Sequence, residues 1–223
     1  IVFGRKDRDE RSLVYAHMEN GSWDISVIDD DHCGCYCNSL QLDSQDNPHV
    51  AYLYYDQISE AYVRYARWNG ESWQIEKIDP FGNGGSINTW SLSLALDSQD
   101  RPHIVYWPST LPNMVIYTYW DGNEWNAEYL NNGTAFGYGT AISIALDSND
   151  VPHVAVVRKP SQGQNAVYYD TKEGDDWVST TIGINADYDQ NTCVSIVLEN
   201  SALPHTATAH MNSAYVPVVT HYY

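Results

Sequence analysis

The chain has 223 residues, enough for one or two domains with a real core, and 43% of them are hydrophobic, which excludes a disordered composition. Its formal net charge is -18, from 29 acidic against 11 basic residues. A field of that sign repels phosphate backbones and anionic lipid, so nucleic acid is not an expected partner, and no run approaches the roughly 20 apolar residues of a membrane span.

In chain order, IVFG at 1–4 and LVYAH at 13–17 read as short strands, with a hairpin turn at NGSW, 20–23. DDDHCGCYC at 29–37 interrupts the pattern. A strand SLQLD at 39–43 follows, then a polar turn, then a strand that opens at Pro48-His49. YVRYARW at 62–68, the turn NGESW at 69–73 and SWQIEKI at 72–78 complete a four-strand unit. The unit recurs as SLALD (93–97), Pro102-His103, MVIYTYW (114–120) and DGNEW (121–125). It recurs again as SIALD (143–147), Pro152-His153, AVYYD (166–170) and EGDDW (173–177). A worn copy holds SIVLE (195–199), Pro204-His205 and AYVPVVTH (214–221). The Pro-His pairs recur every 50–54 residues, and Trp23, Trp73, Trp125 and Trp177 every 50–52, so two independent landmarks share one period.

Short, β-branched or aromatic segments with period-2 alternation are strands, and no long apolar 3.6 period marks a helix. Four antiparallel strands in roughly 50 residues make one blade of a β-propeller. The expected fold is therefore all-β, a single propeller domain over 1–223. Its repeats run approximately 1–36 (partial), 37–89, 90–139, 140–190 and 191–223 (partial). The first repeat lacks its inner strand and the last its outer one, giving about 18 strands. Five blades are expected, with a four-blade ring or a fragment of a larger ring as alternatives. Unpaired edges favour closure within the chain, as a monomer.

The L-D-S-x-D/N-x-P-H-V-A-Y segment and the N-G-x-W hairpin resemble bacterial-type extracellular propeller repeats, the group with sialidase-like and NHL-like members. The resemblance covers nearly the whole chain and implies a propeller fold at an extracellular or cell-surface location. The Asp-box of sialidases, S-x-D-x-G-x-x-W, is not cleanly present in any repeat.

The recurring residues read first as architecture. Asp43, Asp97 and Asp147 close the inner strand and can accept backbone N–H bonds in the following turn. His49, His103, His153 and His205 can bridge neighbouring strands through two ring nitrogens; a comparable buried polar network in WD-type propellers supports a structural role. Trp23, Trp73, Trp125 and Trp177 pack between blades, with ligand stacking as the alternative. Cys33, Cys35, Cys37 and Cys193 suit disulfides better than a metal, because C-x-C-x-C lacks structural-zinc spacing. Cys37 and Cys193 precede inner strands at matching positions, and a four-blade ring would let them bond. No cofactor is required; the Asp29-Asp30-Asp31 run is compatible with a Ca²⁺ shell or, more simply, with a solvated acidic loop.

Non-repeated aromatics are the ligand candidates, because a fold constraint recurs and a local site need not. These are Phe81, Trp90, Trp107, Phe136, Tyr138 and Tyr188, most of them on loops between blades. No G-x-S-x-G elbow, P-loop, H-E-x-x-H or Rossmann fingerprint occurs. The expected function is a non-catalytic propeller that binds a glycan or an exported protein. The alternatives are a propeller glycosidase or polysaccharide lyase, marked by convergent carboxylates or a Tyr–His pair, and a structural module of a larger surface protein.

Overall fold

A computed structural model describes residues 1–7, 10–30, 37–55, 61–78, 91–108, 114–130, 141–158, 166–184, 193–199, 203–211 and 217–222. These residues form eighteen strands in five antiparallel sheets, each strand beside its sequence neighbour. The chain divides into two compact units, Ile1–Thr89 and Trp90–Tyr223. No helix among the described residues is long and apolar enough to cross a membrane.

The N-terminal unit holds two sheets. The first is β1 (Val2–Asp7), β2 (Glu10–Glu19) and β3 (Ser22–Asp29). The second is β4 (Asn38–Leu42), β5 (Pro48–Tyr55), β6 (Ala61–Trp68) and β7 (Trp73–Ile78). Val50, Tyr52, Tyr54 and Ala66 on one face of the second sheet pack against Leu13 and Ile28 of the first.

The C-terminal unit holds three. The third sheet is β8 (Leu92–Leu96), β9 (Pro102–Tyr106), β10 (Ile116–Trp120) and β11 (Trp125–Tyr129). The fourth is β12 (Ala141–Leu146), β13 (Pro152–Arg158), β14 (Ala166–Glu173) and β15 (Asp176–Ile184). The fifth is β16 (Cys193–Glu199), β17 (Leu203–Met211) and β18 (Pro217–Tyr222). Val105, Val115 and Tyr117 of the third sheet meet Ile142, Ile144 and Val156 of the fourth, whose opposite face meets Val194 of the fifth. A strand covered on both faces needs apolar residues throughout, which is why β13 is buried at every position, from Pro152 to Arg158.

Serines at the head of the inner strands join one sheet to the next. Ser91 and Ser93 accept the Ile142 and Ile144 backbone N–H at 3.0 and 3.2 Å. Ser143 accepts that of Ile196 at 3.2 Å. These bonds satisfy edge donors that a four-stranded sheet would otherwise leave open.

Turn chemistry fixes the register. Asn20 and Gly21 both have positive φ, 49° and 80°, as a two-residue hairpin turn requires. Asp46, Asp100 and Asp150 have φ near 61–64° in the turn after the inner strand, a conformation that short polar side chains tolerate. The preceding acid holds each turn: Asp43 Oδ1 accepts the Gln45 and Asn47 amides, Asp97 Oδ1 those of Gln99 and Arg101, and Asp147 Oδ1 those of Asn149 and Val151, all at 2.7–2.8 Å.

Candidate functional site

Three sheets carry the same polar chain across three strands. The ring Nδ1 of His49 lies 2.5 Å from the Tyr65 hydroxyl, that of His103 2.6 Å from Tyr117, and that of His153 2.6 Å from Tyr169. The opposite nitrogen lies 3.5 Å from Asp43, 3.4 Å from Asp97 and 3.8 Å from Asp147. Burial favours raising the Asp97 carboxyl, but hydrogen bonds from Arg101, Gln99 and His103 outweigh it and hold the group below its ordinary range. Burial pushes the His103 imidazole down and the Tyr117 phenol up. In the third sheet the chain therefore runs from phenol to neutral imidazole to carboxylate, whereas in the fourth His153 Nε2 is buried without a hydrogen bond, 3.8 Å from Asp147. The fifth sheet departs from this. Glu199 replaces the aspartate and lies 2.8 Å from His205, whose ring stacks on His221 at 5.4 Å.

The hairpin tryptophans divide. Trp73 meets the Tyr15 ring of the first sheet at 5.7 Å, and Trp177 meets Tyr117 of the third at 5.2 Å, both edge-on. Trp125 is half-buried against Trp120 of its own sheet, ring to ring 5.8 Å. Packing between blades does not hold for Trp23, which is 53% exposed.

Beside these networks lie two clefts, each between neighbouring sheets of one unit. The first, in the N-terminal unit, measures about 280 Å³ and the second, in the C-terminal unit, about 420 Å³. They occupy matching places in the repeat. The preceding sheet supplies Tyr15 and His17 to the first, Tyr117 and Tyr119 to the second. The following sheet supplies Asp46 to Pro48 and Trp68 to the first, Asp150 to Pro152 and Lys172 to the second. Arg101 and Trp120 also line the second cleft. Arg101 gives Nε to Asp97 at 2.6 Å and Nη1 to the Asp121 carbonyl at 3.2 Å. Asp150 accepts the Ser98 amide and hydroxyl at 2.8 and 2.7 Å, tying the turn of the fourth sheet to that of the third.

Several expected site residues lie elsewhere. Trp107 is 6% exposed and sits in the apolar core between the third and fourth sheets, so it presents no face to a ligand. Phe81, Trp90, Phe136, Tyr138 and Tyr188 lie outside the described residues, as do Cys33 and Cys35. Cys37 is half-buried, and Cys193 is exposed at the head of β16. Asp29 is not part of a solvated loop. It is buried, takes the Tyr52 hydroxyl at 2.6 Å and Arg64 Nη1 at 2.7 Å, and so neutralises a cation of the neighbouring sheet. Among the described residues no group of three or more His, Cys, Asp or Glu is arranged to hold a metal ion. Sequence reasoning missed Tyr65, Tyr117 and Tyr169, although each stands three residues before Trp68, Trp120 or Lys172, which occupy matching places in the repeat.

No family model matches the chain, and no curated protein matches it. Solved structures do. AofleA from Arthrobotrys oligospora superimposes with a TM-score of 0.63 at 9% identity, over 97% of this chain and 63% of that one. The six-bladed fucose-recognising lectin of Aleuria aurantia gives 0.56 at 15% identity, over 96% and 67%. A polysaccharide lyase, an ulvan lyase, gives 0.60 at 11% identity, over 98% and 59%. At these identities the likeness is one of fold: an all-β propeller arrangement of five antiparallel sheets, not specifically the sialidase-like or NHL-like kind. The chain spans about two thirds or less of each of these structures.

Proposed function

We propose that the chain is a non-catalytic, exported propeller that binds glycans in the clefts between neighbouring sheets. The observation that carries this reading is the recurrence of the cleft itself. At matching places in two units, a concave space is bordered by aromatic rings and by the Asp-x-Pro turn of the next sheet. Aromatic faces take the C–H face of a sugar ring, and a few placed polar groups fix its hydroxyls. The likeness to a fucose-recognising lectin supports the reading at the level of fold. We read the five sheets as five blades of one monomeric ring over 1–223; light scattering gives the mass that checks it.

A glycan array followed by calorimetry tests the function. Saturable binding that a combined Trp68→Ala and Trp120→Ala variant loses supports it. Absence of any glycan ligand, with a protein partner captured instead, replaces it with the exported-protein alternative.

A lyase reading would use the Tyr117–His103 pair with Arg101, all lining the second cleft. Physical chemistry argues against it. The phenol is buried and raised, the imidazole lowered, and both are saturated by internal bonds, whereas a general base needs a pKa near the working pH and an open proton path. The same pair recurs in two other sheets, as a fold constraint does. Release of unsaturated products from uronate polymers, lost in Tyr117→Phe, would restore the lyase reading.

A further inference from the structure

We infer that the first cleft selects a neutral, polyhydroxylated ring, and that the residue at position 26 is what leaves the cleft open to it. The inference rests on the glycan-binding reading and assigns a ligand class to one of its two sites.

The two clefts match in position and differ in chemistry: besides His17 in place of Tyr119, the residues behind their walls differ in two linked places. In the second, Trp177 Nε1 donates to Glu128 Oε2 at 2.9 Å, while Lys172 Nζ donates to Glu128 Oε1 at 2.7 Å. Glu128 stands opposite Tyr117, and Trp177 opposite Lys172. In the first cleft Ser26 stands opposite Tyr15, and Trp73 opposite Trp68. Ser26 thus takes the place of Glu128, and Trp68 that of Lys172. A carboxylate and an ammonium are exchanged for a short hydroxyl and an indole.

The first cleft holds polar atoms without a hydrogen-bond partner, the indole one because Ser26 stands where Glu128 does. Trp73 Nε1 and His17 Nδ1 are both buried and accept or donate no hydrogen bond among the described residues. The Asp24 carboxylate lies 4.0 Å from His17 Nδ1, beyond hydrogen-bond length. Both residues line the cleft. A buried donor without a partner is unfavourable, and the second cleft avoids this by supplying its own acceptor.

A ligand that relieves the first cleft brings an acceptor oxygen for an indole N–H, donors for Asp24 and Asp46, and an apolar face for Trp68. A sugar ring carries all three. Among the described residues no lysine or arginine lines this cleft, and two aspartates do, so a carboxylate-bearing sugar is repelled. The two nitrogens are shielded while the cleft is empty, so partnering them turns the indole. Tryptophan emission therefore reports occupancy.

The test uses the full chain, calorimetry and tryptophan fluorescence. The probes are the methyl glycosides of fucose, galactose and mannose, with methyl glucuronide as the acidic control. At least one neutral glycoside should bind with a change in emission, and the glucuronide should not. Ser26→Glu supplies the internal acceptor and should weaken that binding by about tenfold or more without lowering Tm. Trp73→Phe keeps the packing, removes the N–H and should weaken it several-fold. Neutral binding that survives both substitutions but disappears in Trp120→Ala overturns this inference and leaves the glycan-binding reading standing. Preference for the glucuronide overturns it as well. Failure of every glycan to bind overturns both.

Discussion

The Tyr117 hydroxyl donates to Nδ1 of His103 at 2.6 Å, and a lowered Asp97 carboxylate on the far side of the ring fixes which nitrogen keeps the proton. A carboxylate only accepts, so Nε2 carries the hydrogen and Nδ1 accepts from the phenol. Tyr117→Phe leaves a buried acceptor open at nearly constant volume. The expected loss is about 1–3 kcal/mol of unfolding free energy. Urea denaturation of the full chain measures it, and an unchanged midpoint would remove the network from the stabilising interactions.

Acid should weaken the fold before it protonates the carboxylates. Burial lowers His103 and His153 below their ordinary 6.5. Between 6.5 and the lower folded values the unfolded chain binds more protons than the folded one, so stability rises with pH through that window. The contribution is complete above 6.5 and is lost as pH falls. Asp43, Asp97 and Asp147, held below their ordinary 3.8 by hydrogen bonds that outweigh burial, act in the same direction at still lower pH. Tm should hold between pH 8 and 7 and decline from pH 6.5 to 5, with a shallower decline in His103→Gln. A Tm independent of pH down to 5 would contradict the assignment.

Arg158 and Asp170 form an ion pair with no solvent exposure on either side chain. Burial pushes the guanidinium down and the carboxyl up, so each depends on the other for its charge. Arg158→Met alone should cost about 3–5 kcal/mol, because it strands Asp170. Adding Asp170→Leu should recover most of that loss. A double variant as unstable as the sum of the singles would show that the pair is not the source of the penalty.

Glu128 holds two groups of the neighbouring sheet at once, Lys172 Nζ and Trp177 Nε1. Glu128→Gln keeps an oxygen for the indole and loses the charge; Glu128→Ala loses both. The expected costs are about 1 kcal/mol and about 2 kcal/mol. Raising salt should shrink the difference between wild type and Glu128→Gln and leave the alanine variant's residual loss. Chemical denaturation at two ionic strengths separates these outcomes.

The sheets were legible because two landmarks, the Pro-His pair and the hairpin tryptophan, keep one phase, and because β5, β9 and β13 must be apolar on both faces. The first and last sheets each show three strands among the described residues. The clefts were not legible. Their walls come from residues far apart in the sequence, such as Tyr119 and Lys172, and only the stacking of sheets brings them together. Trp107 misled because its uniqueness was read as local function, when packing between two sheets requires bulk at that place too. Asp29 misled because an acidic run looks solvated until Arg64 arrives from the next sheet. Tyr65, Tyr117 and Tyr169 were lost among 18 tyrosines, since nothing in one strand distinguishes a phenol that points at a histidine.

The serine links of the inner strands point one way only: Ser93 gives its oxygen to the sheet after it, and Ser143 of that sheet gives its own to the next. Such a joint has a front and a back that fit each other, like tongue and groove in a floor. A duplicated gene segment would therefore arrive with both halves of its fastening already encoded. Lengthening or shortening the array by recombination would need no new contact at this joint.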